Sequence, residues 1–89
     1  MNISRMNLGT LIENTAGQAV IFEFTKKDGT PRRLQGIFQK RESYNNAIQA
    51  NLPYRQVFDL EAMDYRNVNL KTISKVVVGM VCYSCTDEA

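Results

Sequence analysis

Gln18-Ala19-Val20-Ile21-Phe22-Glu23-Phe24-Thr25-Lys26-Lys27-Asp28-Gly29-Thr30-Pro31-Arg32-Arg33-Leu34-Gln35-Gly36-Ile37-Phe38 is the stretch that decides the fold. From Gln18 the pattern has period two. Val20, Phe22 and Phe24 fall on one side of an extended chain and Ile21, Glu23 and Thr25 on the other, with β-branched and aromatic residues prevailing, which predicts a strand. Asp28-Gly29 tolerates the positive φ angles of a tight hairpin, and Leu34 and Phe38 resume a strand beyond it. The two strands therefore pair antiparallel. Gly36, two residues before Phe38, suits the bend or bulge that a small barrel needs in its second strand.

Working outward, Leu8, Leu11 and Ile12 stand at helical spacing before Gly17, which predicts a short amphipathic helix over residues 4–15 that Gly9 weakens. Downstream, Arg55 to Leu60 reads as strand three, Glu61 to Asp64 as its turn and Tyr65 to Leu70 as strand four. Leu70 to Ile73 suits a short 3₁₀ turn, and Lys75 to Tyr83 is a β-branched fifth strand. Residues 42–53 are polar and Asn-rich; Tyr44, Ile48 and Leu52, spaced by four, fit one helical turn as well as an irregular loop. A helix followed by five short strands makes residues 1–89 one mainly β domain. Residues 18–84 are expected to form a barrel, because so small a sheet must roll up to bury its apolar face and its edges. An open meander dimerising through Val76 to Tyr83 is the alternative.

The chain has 89 residues, of which 44% are hydrophobic and 22% charged, so one ordinary globular core is available and two are not. A core this small barely offsets the entropy of ordering the chain, which favours self-association. Strand five points the same way. Val76, Val77, Val78, Met80 and Val81 are apolar on both faces; Leu8, Leu11 and Ile12 of the helix can cover part of the second face, and a partner copy pairing along the same strand is expected to cover the rest and its edge. With no His, no Trp and 2 Cys, most routes to metal or imidazole chemistry are missing, so the composition argues for a binding protein and calls for no cofactor. Net charge is only +2, but six cations against Asp28 and Glu42 give residues 26–42 a local charge of +4. The N-terminus shows no signal-peptide pattern and the apolar run Val76 to Tyr83 is too short for a bilayer, so a cytoplasmic protein with reduced thiols is expected.

Phe22-Glu23-Phe24-Thr25-Lys26-Lys27-Asp28-Gly29-Thr30-Pro31-Arg32, followed by Val57-Phe58-Asp59-Leu60-Glu61 and Tyr65-Arg66-Asn67-Val68-Asn69-Leu70-Lys71-Thr72-Ile73, resembles a group of small, mostly bacteriophage-encoded domains described as WYL-like with an Sm-like SH3 β-barrel fold. The first stretch is similar to that group's F-x-K-x-D-G-x-x-R hairpin. The later two are similar to its V-x-D-x-E and W-R-x-F-x-x-x-x-I ending, with Tyr65 at the Trp and Val68 at the aromatic. The resemblance covers about residues 18–78 and implies a five-stranded SH3/Sm-like barrel. It also implies a phage origin, hence a host cytoplasm and a role against host machinery or defence signalling.

Among chemistry-bearing residues, Cys82-Tyr83-Ser84-Cys85 fits C-x-x-C, but residues three apart on a strand face opposite ways. One buried and one terminal thiol is the plainer reading, a zinc site shared between subunits the other. Asp59, Glu61 and Asp64 cluster at a hairpin as turn-forming acids or as a hard-metal site. The Ser and Thr hydroxyls have no activating base, so catalysis is not expected. Lys26, Lys27, Arg32, Arg33, Lys40 and Arg41 converge along one hairpin, where Tyr44 or Tyr54 can stack on a base. These eight residues predict a site for a phosphate-bearing ligand, either single-stranded nucleic acid or a nucleotide messenger. The same charges can instead be solvated edge protection, or an exposed strand edge or the Tyr44–Tyr54 loop can dock on a host protein as an inhibitor or adaptor.

Overall fold

The computed structural model describes residues 1–39 and 52–86. Strand β1 (Asn2–Ser4) leads directly into helix α1 (Arg5–Asn14), and six strands follow: β2 (Ala19–Thr25), β3 (Pro31–Phe38), β4 (Tyr54–Asp59), β5 (Asp64–Asn69), β6 (Ile73–Val78) and β7 (Val81–Thr86). They form one sheet in the order β1-β7-β6-β2-β3-β4-β5. The mainly β class and the short N-terminal helix agree with the sequence. The strand number does not, since five were expected and seven are present.

Both extra strands have a physical reason. The apolar run from Lys75 to Tyr83 is folded back on itself, with Val78 paired to Val81 across Gly79 and Met80. Gly79 takes φ 60°, which a residue with a side chain rarely adopts. Strand β7 thus covers the edge of β6 that a partner copy was expected to cover. Val76 is fully buried, and Val78 packs on the same core. Val78→Lys is therefore expected to destabilise the fold by about 2 kcal/mol, from lost burial and a poorly solvated ammonium, rather than to dissociate an assembly. Thermal unfolding and light scattering together check this, and an unchanged melting temperature with a halved mass would show that Val78 faces a partner. Strand β1 pairs parallel with β7, Asn2 to Ser84 through Ser4 to Thr86, a contact across the whole chain that local pattern cannot signal.

Connectivity forces the sheet to curl. In a flat sheet, four strand spacings would separate β5 from β6, about 19 Å. Asn69 and Ile73 are only four residues apart and can span about 14 Å at most. Backbone bonds mark the folding-over: Thr25 N–H donates to the Thr72 carbonyl at 3.1 Å and Leu70 N–H to that of Pro53 at 2.9 Å. The concave side holds the core, made of Val20, Phe22, Leu34, Phe38, Val57, Val68, Ile73 and Val76. Gly36 lies inside β3 opposite Asp59, where a Cβ would stand 3.1 Å from the Phe58 carbonyl and from Val57, so it serves close packing against β4; the register shift expected there lies instead in β2, between Glu23 and Phe24.

Helix α1 adds Leu8 and Ile12 to this core and packs against β1, β4 and β7. Two arginines fasten it. Arg5 Nη1 donates to the carbonyls of Leu70 (2.7 Å) and Ile73 (2.8 Å), tying the helix start to the β5–β6 turn. Arg55, on the inner face of β4, lies beneath Gly9, donates from Nε to Glu13 at 3.1 Å and from Nη1 to the carbonyls of Leu52 and Tyr54.

Candidate phosphate-binding end

The β2–β3 hairpin is built to hold cations outward. Lys26 N–H donates to the Thr30 carbonyl and Gly29 N–H to that of Lys26, both at 2.9 Å, closing the loop. Asp28 is consumed by the turn, because its Oδ1 accepts from the Thr30 hydroxyl at 2.6 Å and the Thr30 N–H at 3.0 Å. These bonds, the hydroxyl first, hold its carboxyl below the usual carboxylate range. Asp28 is therefore ionised at neutral pH and directed at its own loop. Lys26, Lys27 and Arg32 are left exposed.

Arg33 is exposed too, but successive strand residues alternate, so Arg32 lies over Phe24 on one face and Arg33 opposite Glu23 on the other. Tyr54 opens β4, paired with Asn69 and 37% exposed, across the Leu70–Thr72 turn from the hairpin. Lys40, Arg41 and Tyr44 lie outside the described residues, as does the question of helix or loop there. The structure thus gathers Lys26, Lys27 and Arg32 and turns Arg33 to the opposite face.

Two cations missed in the sequence join this end. Strand β6 runs beside β2, which sets Lys75 opposite Glu23 and brings Lys71, in the turn bonded to Thr25, next to the hairpin base. Counted over both faces of the sheet, Lys26, Lys27, Arg32, Arg33, Lys71 and Lys75 against Glu23 and Asp28 give this end a charge of +4, with Arg33 and Lys75 beside Glu23 on the face opposite Arg32. Closure of the five expected strands into a barrel, which pairs the Val20–Thr25 strand with the strand that begins near Lys75, was the signal that could have placed Lys75.

The two cysteines are free, Cys82 exposed and Cys85 half-buried against the core, on opposite faces of β7. Among the described residues no three His, Cys, Asp or Glu side chains stand close enough to share a metal ion. Asp59 faces inward and accepts from the N–H groups of Glu61 (2.9 Å) and Ala62 (3.1 Å) while pairing with Arg66 Nε at 3.0 Å, so it forms a turn. Among the described residues no helix is long and apolar enough to cross a membrane.

Comparison with protein-family models, with curated proteins and with solved structures gives no match.

Proposed function

We propose that this chain is a small binding module for a phosphate-bearing ligand of the nucleic-acid class, a single strand or a nucleotide, held at the β2–β3 hairpin end. The observation that carries this reading is the convergence of Lys26, Lys27, Arg32 and Lys71 on one end of the sheet while the local carboxylate, Asp28, is occupied by Thr30. Flexible ammonium groups and a guanidinium around a rigid turn suit a polyanion better than a catalytic step, which needs a placed acid, base or nucleophile. The phage-type SH3/Sm-like barrel, the association of copies and a host-directed role belong to the same proposal. The curled sheet with β2 between β6 and β3 supports the barrel; the association of copies rests on the small size of the core and the host-directed role on the family resemblance of residues 18–78.

Salt decides it. If four of these cations contact phosphates on a single strand, the slope of log affinity against log salt is about −3. Raising salt from 50 to 200 mM should then weaken binding roughly 50-fold. Fluorescence anisotropy with single strands, duplexes and cyclic dinucleotides checks this, and the Lys26→Glu, Lys27→Glu double variant should lower affinity for whichever of them binds. Salt-insensitive binding, or none to any probe, overturns the proposal. A stoichiometric host protein recovered from nuclease-treated lysate would favour an adaptor instead, for which Tyr65, 41% exposed on edge strand β5, is the natural contact.

A further inference from the structure

The outer face of the sheet carries a groove of about 430 Å³, lined by Ile21, Arg33, Leu34, Gln35, Leu60 and Glu61. That volume is in the range of small-molecule sites. Register fixes its shape. Ile21 and Gln35 are directly opposed on β2 and β3, with Arg33 two residues along β3 toward the hairpin. The other wall is the β4–β5 turn, where Leu60 N–H donates to the Gln35 carbonyl at 3.0 Å and Glu61 N–H to Asp59 at 2.9 Å. Because Asp59 is buried and holds the turn from beneath, the wall is formed before any ligand arrives.

The lining is chemically mixed in a particular way. Ile21 and Leu60 are half-buried and offer flat apolar surface, while Arg33 and Glu61 are exposed at the rim. A carboxylate at the rim repels a phosphate and asks for N–H donors, whereas Arg33 asks for an anion. A nucleotide meets both demands at once when its base carries donors and its phosphate stays near Arg33. Guanine matches best, because N1–H and the N2 amino group present two adjacent donors to the two oxygens of one carboxylate. Cytosine and adenine present one amino group there, and uracil a single N–H between two carbonyls.

We propose that this groove is a base-binding subsite that takes a guanine of the bound strand. Glu61 accepts from N1–H and N2–H, Ile21 and Leu60 pack on the base, and Arg33 holds the attached phosphate. The subsite rests on the phosphate-ligand reading, and it adds to that reading a preference that charge at the hairpin cannot supply.

The test compares a uridine heptamer with the same heptamer carrying one central guanosine, by anisotropy at fixed salt. The guanosine strand is expected to bind on the order of tenfold tighter. Glu61→Gln should erase the difference without weakening the plain heptamer, and the Ile21 and Leu60 methyl resonances should shift only with the guanosine strand. Glu61 is exposed and its turn is held through its backbone, so the variant keeps the fold. Equal, salt-sensitive affinity for both strands removes the subsite and leaves the hairpin reading in place, and so does a preference that survives Glu61→Gln. Failure of both strands to bind removes the two together.

Discussion

Arg55→Ala is expected to lower the unfolding free energy by about 3 kcal/mol, a large share of the roughly 4–13 kcal/mol that a domain of 89 residues has to spare. The Arg55 side chain is 4% exposed and Glu13 24%. Removing the guanidinium leaves the carboxylate only partly rehydrated and strips a donor from the carbonyls of Leu52 and Tyr54. Partial exposure of Glu13 sets the figure at the low end for a broken buried pair. Gly9 belongs to the same arrangement, because a Cβ there would lie 2.5 Å from Arg55 Nη2. Gly9→Ala should therefore destabilise the protein, although in an open helix it would gain about 1 kcal/mol. Urea unfolding of both variants checks this. A loss under 1 kcal/mol for Arg55→Ala, or a stabilised Gly9→Ala, would mean that α1 is held by its apolar face alone.

Asp59→Ala is expected to cost a similar amount, about 3 kcal/mol, and to abolish any ligand selectivity that depends on the β4–β5 turn. Its carboxylate satisfies two backbone N–H groups and faces Arg66, whose side chain is 47% exposed, so most of the effect comes from the orphaned turn and little from the ion pair. The turn also holds Met63 at φ 55°, a left-handed conformation that costs a side-chain-bearing residue roughly 1 kcal/mol and that the bonds to Asp59 sustain. Asp59→Asn keeps an acceptor oxygen of the same shape and should lose only about 1 kcal/mol. Equal losses for Asn and Ala would show that the charge, and not the turn, is what stabilises this corner. Amide exchange at Glu61 and Ala62 separates the two.

Much of the architecture was legible because its determinants are local. Period-two alternation in Val20 to Thr25 and in Arg55 to Leu60, and Asp28-Gly29 between matching runs, place β2, β3, β4 and β5 within a residue or two of where they lie, except that β3 begins earlier, at Pro31. The helix, expected over residues 4–15 and found at Arg5–Asn14, was legible to within one residue at each end for the same reason, with Leu8 and Ile12 one turn apart on the buried side. The β6–β7 turn was not legible. Its two residues, Gly79 and Met80, sit in an apolar run, and Met80 ends fully exposed where period-two pattern assigns it to a strand. Strand β1 was invisible because three residues carry no periodicity and their partner lies at the far end of the chain.

By itself the sequence determined the fold class, the helix, the antiparallel hairpins and the excess of cations near Asp28-Gly29, since each depends on residues a few positions apart and on alternation that any extended chain must obey. Only the tertiary structure decided which strands are neighbours, because the loop-closing pairs β2–β6 and β1–β7 owe their energy to burying surface contributed by distant segments. That choice turned Arg55 and Asp59, ordinary charged strand residues in sequence, into buried anchors. It also carried Lys71 and Lys75 to the hairpin and laid Leu60 and Glu61 beside Gln35 to make the groove. Charge is written residue by residue, but a site is a distance, and distances between remote residues exist only once the core has formed.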